Sequence, residues 1–561
     1  MSLHHITQRQ KVIVMAAVMS AMFLVALDQT IIATALGKIV EEFNSFSSLS
    51  WVVTAYMLTT TVTVPLAGKM SDIFGRRKVL LTGVTIFVLG SFLSGGAMSI
   101  EQLIFSRAFQ GIGGGIIMAN AFTIIGDLFS PRERGKWQGL IGAVFGLSSV
   151  IGPLLGGFLT DPHTIFGLTT NWRWTFWINV PIGIISFLII ARYMPLIRHD
   201  HKPKIDYLGA GFLAASLSSL ILAVDNTDKI FASLIEGGVS TTTIKVALYG
   251  IALLAAGLFV WAEKCAAEPI IPLSFFRNRT FSTLMAVGLL FGAAFLGAIL
   301  YLTQFNQQVF GADATQSGLM LLPMIIGLSG TAATMGQFVS RTGKYKVPFI
   351  VGFSVATIAI FALSTLTPTS PYWQEAIIMF FAGAGLGAGM PILNLAVQNE
   401  FGQKDLGAAT ASVQLFRGLG STVGTAILGT LLVSGVTTQL GNLQQDSYIR
   451  LLTQQPAAAQ MLGTVDADTA LNLNTHGFKD QINSGFDKAT AQLPAPVREA
   501  AKAKLQAEQD AFGNKVVTAF SDSLRTVFYV SSALMLAATL IATGIVEKPL
   551  RGGHDDTPGL A

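Results

Sequence analysis

Three charged residues stand in stretches that otherwise read as membrane-spanning. Asp28 lies in "FLVALDQTIIATAL", Phe23 to Leu36, Arg107 in "LIFSRAFQGIGGG", Leu103 to Gly115, and Arg417 in an apolar run over 408–433. By insertion scales a charge at that depth costs at least ~2.5–3.5 kcal/mol, so each is a functional hypothesis by default. A carboxylate so placed can load and release a proton as its access to water alternates, because a nearby cation favours its ionised form and desolvation its acid form. It can also attract a cationic substrate directly. The structural alternative is an ion pair that only locks two helices. Arg417 could meet an anionic group or bond backbone carbonyls at a helix end.

The elements that must position these residues follow from composition. The 561 residues are 51% hydrophobic and 12% charged, against about 25% charged in soluble domains. Mostly apolar runs long enough to cross a bilayer fall near 12–36, 50–69, 79–98, 102–125, 137–159, 174–194, 206–224, 245–262, 281–304, 313–337, 347–366, 373–397, 408–433 and 524–545. The chain is therefore expected to be an all-α polytopic membrane protein with 14 transmembrane helices. The first run is about 25 residues, too long for a signal-peptide core, and is expected to remain as a helix. Cys265 is the only cysteine, so no intrachain disulfide forms. The net charge of +5 is not nucleic-acid affinity, since membrane proteins collect Lys and Arg on one side.

That asymmetry sets the orientation. With both termini cytoplasmic, the inner segments hold 22 Lys and Arg and the short outer loops hold 4 (Lys38, Arg173, Lys229 and Lys245). At 1.5 Å per residue, Asp28 and Arg107 then lie roughly 12 and 9 Å below the outer surface. They meet if the first and fourth helices are neighbours.

Repetition organises the lobes. "GKMSDIFGRRK", Gly68 to Lys78, falls between helices two and three; its glycines allow close approach and a tight turn. Asp72 suits a helix N-terminus or a nearby cation. "GQFVSRTGKYK", Gly336 to Lys346, echoes it after helix ten, with Ser340 in place of the acid. Two copies imply a duplicated transporter fold. Their separation, about 268 residues, is too large for adjacent six-helix halves. The expected division is a six-helix lobe over 1–198, two inserted helices over 199–270, and a second six-helix lobe over 271–561. Within the last, 434–523 forms an extracytoplasmic helical loop.

These residues resemble the major facilitator superfamily, and within it the fourteen-helix drug:proton antiporters. The resemblance covers nearly all of the chain except the long outer loop. It is carried by "GKMSDIFGRRK", by the Arg107 motif, by "GLSSVIGPLLGGFL" (Gly146 to Leu159), by "LDQTIIATAL", by "WVVTAYML" (Trp51 to Leu58) and by "NWRWTFWINVPIG" (Asn171 to Gly183). The first-helix motif departs from the family pattern at Ala33, where the family carries Asn, and at Gly37, where it carries Pro. The resemblance implies alternating access between two lobes in a bacterial cell membrane. Protons entering down their gradient would drive export of hydrophobic, often cationic, compounds, with no cofactor. It also implies proton coupling at Asp28 and Arg107, and a switch loop of Gly68, Asp72, Gly75, Arg76 and Arg77. Gly146, Gly152, Pro153, Gly156 and Gly157 would let helix five bend and pack closely; packing alone is the competing role.

Gln304, Asn394, Gln398, Gln414 and Arg417 are candidates for the substrate cavity, each of which could equally bond across helices. In the outer segment, Val497, Ala501, Leu505, Phe512 and Val516 make an amphipathic helix over 496–520, resting on the membrane face or capping the exit. An accessory envelope protein is a candidate partner there. No metal-ligand cluster, nucleophile–base motif or phosphate-binding loop is present in the sequence, so an enzyme is not expected. The alternatives are export of lipid or another endogenous amphiphile, or a non-transporting sensor or channel.

Overall fold

The computed structural model describes residues 7–43, 49–160, 163–165, 167–195, 206–224, 227–312, 314–402, 405–453, 467–474, 476–491 and 494–550. Fourteen of its helices are long and apolar enough to cross a membrane. We number them α1 (Gln8–Phe43), α2 (Leu49–Phe74), α3 (Arg76–Gly95), α4 (Ile100–Leu128), α5 (Pro131–Thr160), α6 (Asn179–Tyr193), α7 (Tyr207–Val224), α8 (Thr241–Cys265), α9 (Arg279–Val309), α10 (Leu322–Thr342), α11 (Lys346–Leu363), α12 (Tyr372–Gly387, continued as Gly389–Glu400), α13 (Leu406–Leu440) and α14 (Ala495–Ala542). Each matches one apolar run of the sequence. Of the basic residues counted for the inner face, Arg198, Lys202, Lys204, Lys404 and Arg551 lie outside the described residues, as does the side chain of Ala33.

The packing repeats. In the first lobe α1 lies on α5 and α6, α4 on α2 and α3, and α3 on α6. In the second, α9 lies on α13 and α14, α12 on α10 and α11, and α11 on α14. Each pair recurs eight helices later, which is the duplication that the two glycine-bounded motifs announce. Both copies turn at a glycine with positive φ, Gly75 at 90° and Gly343 at 72°, a region that side-chain-bearing residues avoid. The lobes meet along two related seams, α2 on α13 and α5 on α10. The inserted pair α7 and α8 packs together, and α7 also lies on α2 and α13 beside the seam, with Leu213 and Leu217 against Leu415.

Two boundaries differ from the sequence reading. The stretch read as a loop after helix two is mostly helical: α2 runs through Phe74 and α3 starts at Arg76, leaving Gly75 as the single break. The helix expected over 496–520 and the span over 524–545 are one uninterrupted helix, Ala495–Ala542, 48 residues and about 72 Å long. Its N-terminal half buries Leu505, Phe512, Val516 and Phe520 in the same core as Leu440, Leu443 and Tyr448. That burial carries the helix across Gly513. Short helices Ser447–Thr453, Ala467–Leu473 and His476–Thr490 complete a cap at the end of the molecule away from the chain's ends. The Gln509 amide donates to Tyr448 Oη at 2.9 Å, and Asn474 Nδ2 donates to the Gln308 carbonyl at the end of α9 at 3.3 Å.

Candidate functional site

Asp28 and Arg107 meet. Both side chains are buried, and Arg107 Nη1 donates to Asp28 Oδ2 at 2.5 Å. The second carboxylate oxygen, Oδ1, accepts from Gln110 Nε2 at 2.8 Å and from Asn179 Nδ2 at 3.2 Å. Those two amides also donate to Ser91 Oγ, at 2.7 and 3.0 Å. The site thus joins α1, α3, α4 and α6 of one lobe. Such a charge pair is tolerable in an apolar interior because the carboxylate's remaining lone pairs are satisfied.

Arg107 has further partners. Nη1 donates to Gln110 Oε1 at 2.8 Å and Nε to the Val52 carbonyl at 3.3 Å. The guanidinium lies 4.2 Å from the centroid of the Tyr56 ring, a contact worth about 2 kcal/mol when desolvated. The cation therefore keeps a seat if Asp28 takes up a proton. Gln110, Asn179, Ser91 and Tyr56 were not singled out in the sequence. Asn179 belongs to the quoted "NWRWTFWINVPIG", and the same motif supplies Trp172 and Arg173, which hold Glu42 at the end of α1. Trp172 Nε1 donates to Glu42 Oε2 at 2.6 Å and Arg173 Nη2 to Oε1 at 2.8 Å. The hydrogen bond from Arg173 holds the Glu42 carboxyl below the usual range.

The residues of the first glycine-bounded motif form a second buried network, at the face that carries both ends of the described chain. Arg76 pairs with Asp72 and, through Nε, with Asp127 Oδ2 at 2.7 Å; its Nη1 also donates to Ser71 Oγ at 2.5 Å. Arg77 donates to the Ala191 carbonyl. Asp72 Oδ2 accepts the Ala408 N–H at 3.2 Å, in the first turn of α13. The acid of the first lobe therefore complements a helix N-terminus of the second. Gly68 makes this crossing possible, since a β-carbon there would run into Ala411 and the Gly407 carbonyl.

Helix five serves the α5–α10 seam and the packing of its own lobe. Gly146 faces Ile325 and Ser329 of α10, Gly152 faces Thr30 of α1, and Pro153 touches Gly318 before α10. Gly156 is buried and Gly157 half-buried in the same helix.

The cavity candidates separate. Gln414 and Arg417 line a cavity of about 120 Å³ with Gln29, Thr60, Thr61 and Met118, between α1, α2, α4 and α13. Arg417 has no hydrogen-bond or ion-pair partner among the described residues, and its Nη1 is buried. Asn394 accepts from Gln414 Nε2 at 3.1 Å and so stands behind the wall. Gln398 lies elsewhere: it accepts from Gln138 Nε2 at 3.1 Å and donates to the Phe122 carbonyl at 3.0 Å, tying the lobes together. Gln304, half-buried on α9, is not among the residues lining that cavity.

Two six-helix lobes joined along paired seams, a buried acid–base pair in the first and a cavity between them define a membrane transporter. The family model described as Major Facilitator Superfamily matches residues 18–425, and the chain belongs to that superfamily, in its fourteen-span form. It is 34% identical over 553 residues to the multidrug transporter protein MdtP of Bacillus subtilis, covering 97% of this chain and 94% of that one. It is 33% identical over 521 residues to multidrug resistance protein 3 of the same organism, covering 92% and 91%. The solved proton:xylose symporter XylE shares the fold, with a TM-score of 0.55 at 15% identity over 77% of this chain and 91% of that chain. The chain is a transporter and not an enzyme.

Proposed function

We propose that this protein is a proton-coupled antiporter of the cell membrane that exports hydrophobic, often cationic, compounds by alternating access, with both termini cytoplasmic. The observation that carries the reading is the buried Asp28–Arg107 pair one residue away from Gln29 in the cavity wall. Protonation of Asp28 removes its charge and releases Arg107 to Gln110, Val52 and Tyr56, which loosens α1 from α4. Loss of the proton restores the pair. Because α1 carries both Asp28 and Gln29, the two states present different walls to the cavity. The ties at Asp72–Ala408 and Gln138–Gln398 belong to the state shut on the cytoplasmic side. The two Bacillus relatives, named for multidrug transport and resistance, support a drug-like substrate.

Arg417 favours a second reading. It is the charged residue in the cavity wall, and a guanidinium without a protein partner recognises acceptor-rich or anionic groups. Export of an anionic or acceptor-bearing amphiphile, such as a lipid, fits that wall. The test is substrate-linked proton movement in vesicles reconstituted with the full chain. Proton release driven by ethidium supports the first reading; release driven only by anionic amphiphiles supports the second. Transport with no proton movement refutes the coupling in both.

A further inference from the structure

The second lobe holds a buried carboxylate that this reading does not use. Glu375 lies in the first turn of α12 and is fully buried. It faces Asn306 of α9, also fully buried, whose side-chain amide lies 2.8 Å from one carboxylate oxygen and 3.2 Å from the other. Among the described residues no cation pairs with Glu375, and no charged side chain of α9, α10 or α11 reaches it. The titratable group near it is Tyr372 on its own helix, whose hydroxyl donates to the Met320 carbonyl at 2.9 Å.

An isolated ionised carboxylate in such a place is far costlier than a neutral acid hydrogen-bonded to an amide. The amide suits both states. Turned one way, Asn306 Nδ2 donates to a carboxylate; turned the other, its Oδ1 accepts the O–H of the acid. We propose that Glu375 is a second proton-binding site, in the second lobe, with Asn306 as its two-way partner. The pair joins the first and fourth helices of lobe two, as Asp28 and Arg107 join those of lobe one, with the acid moved to the fourth helix and the cation replaced by an amide. The lobes therefore hold their acids differently. Asp28 gains an arginine on releasing its proton, whereas Glu375 gains only an amide donor and needs water to release one. The Tyr372–Met320 bond places the start of α10 beside Glu375, and Gly318, just before it, packs on Pro153 of the other lobe. Relative movement of the lobes thus reaches the surroundings of Glu375.

The inference rests on the proton-coupled reading only for its consequence in transport; binding of the proton stands apart from it. The test is pH-difference infrared spectroscopy of the full chain in lipid nanodiscs. Wild type is expected to show a carboxylic-acid C=O band that disappears as pH rises, is lost in Glu375→Gln and persists in Asp28→Asn. Superimposable wild-type and Glu375→Gln spectra in that region overturn the proposal. A measurement on wild type alone guards against misfolding of the variant. Dicyclohexylcarbodiimide, which modifies protonated carboxyls in apolar surroundings, is expected to label Glu375 by peptide mass spectrometry, less so as pH rises. No label on Glu375 at any pH overturns it too. A retained band in a protein that moves no protons with substrate would refute the coupling and leave this site standing.

Discussion

The carboxylate of Asp72, at the end of the second helix, accepts the backbone N–H of Ala408, 3.2 Å away at the start of the thirteenth. One acid thus serves as both the partner of Arg76 in its own lobe and the cap of a helix in the other. Breaking it should leave the first lobe folded, because Arg76 keeps Asp127 and Ser71.

Asp72→Asn should therefore weaken the closed terminal face rather than the fold. A charge at a helix N-terminus contributes about 1 kcal/mol, which is roughly a fivefold change in the ratio of closed to open states. Spin labels on the α2–α3 and α12–α13 connections, read by pulsed electron resonance, should show a larger long-distance population in the variant. An unchanged distance distribution contradicts the lock.

Gly68 should tolerate no side chain. Its α-carbon crosses α13 where a β-carbon would overlap Ala411, and overpacking of this kind costs about 1–3 kcal/mol. Gly68→Leu is expected to express and bind substrate but to populate the closed state poorly, cutting transport by about tenfold or more. Equal transport by Gly68→Leu and wild type would rule out this close crossing in the cycle.

Glu42 tests the staple between the end of α1 and the start of the sixth span. Arg173 lowers its carboxyl in the folded protein. A depressed folded value means that the stabilisation is complete above the unfolded carboxylate range and is lost as pH falls through the folded value. Both groups are partly exposed, so the effect is small and salt-sensitive. Glu42→Gln should melt below wild type at neutral pH, with the gap closing on acidification and in high salt. A gap that widens at acid pH contradicts the assignment.

Arg417 should govern which substrates are accepted. Hydrogen bonds to a charged group contribute about 1.5–3 kcal/mol, so Arg417→Ala should weaken binding of anionic or acceptor-rich compounds by roughly 10- to 100-fold, and spare lipophilic cations. Tryptophan-fluorescence titration with one compound of each class distinguishes this from a structural role, which would weaken both alike.

How much of this was legible in the sequence depended on contrast with the surroundings. Asp28 and Arg107 stand out because each is a charge in an apolar run, and helical rise alone placed them at similar depth. Their supporting amides did not stand out: Gln110, Asn179 and Ser91 are ordinary polar residues of a membrane helix, and only packing of α3, α4 and α6 brings them to one oxygen. Glu375 was missed for a related reason. It sits two residues inside the predicted edge of its span, where a charge is expected to reach water, and only the tertiary structure seals it. Gln398 illustrates the converse. Its composition suited a cavity, but the turn of α12 aims it at Gln138 across the seam. The helix over 496–520 was legible as amphipathic, while its continuity with α14 depended on a core built from residues of α13 and the cap.

The most direct test of the account is proton-coupled efflux of ethidium from vesicles reconstituted with wild type or Asp28→Asn. The variant keeps the shape of the side chain and removes its proton. The account predicts substrate-linked proton movement in wild type and its loss in a folded, substrate-binding Asp28→Asn protein. Full coupled transport by Asp28→Asn would contradict it and reduce the Asp28–Arg107 pair to a structural tie.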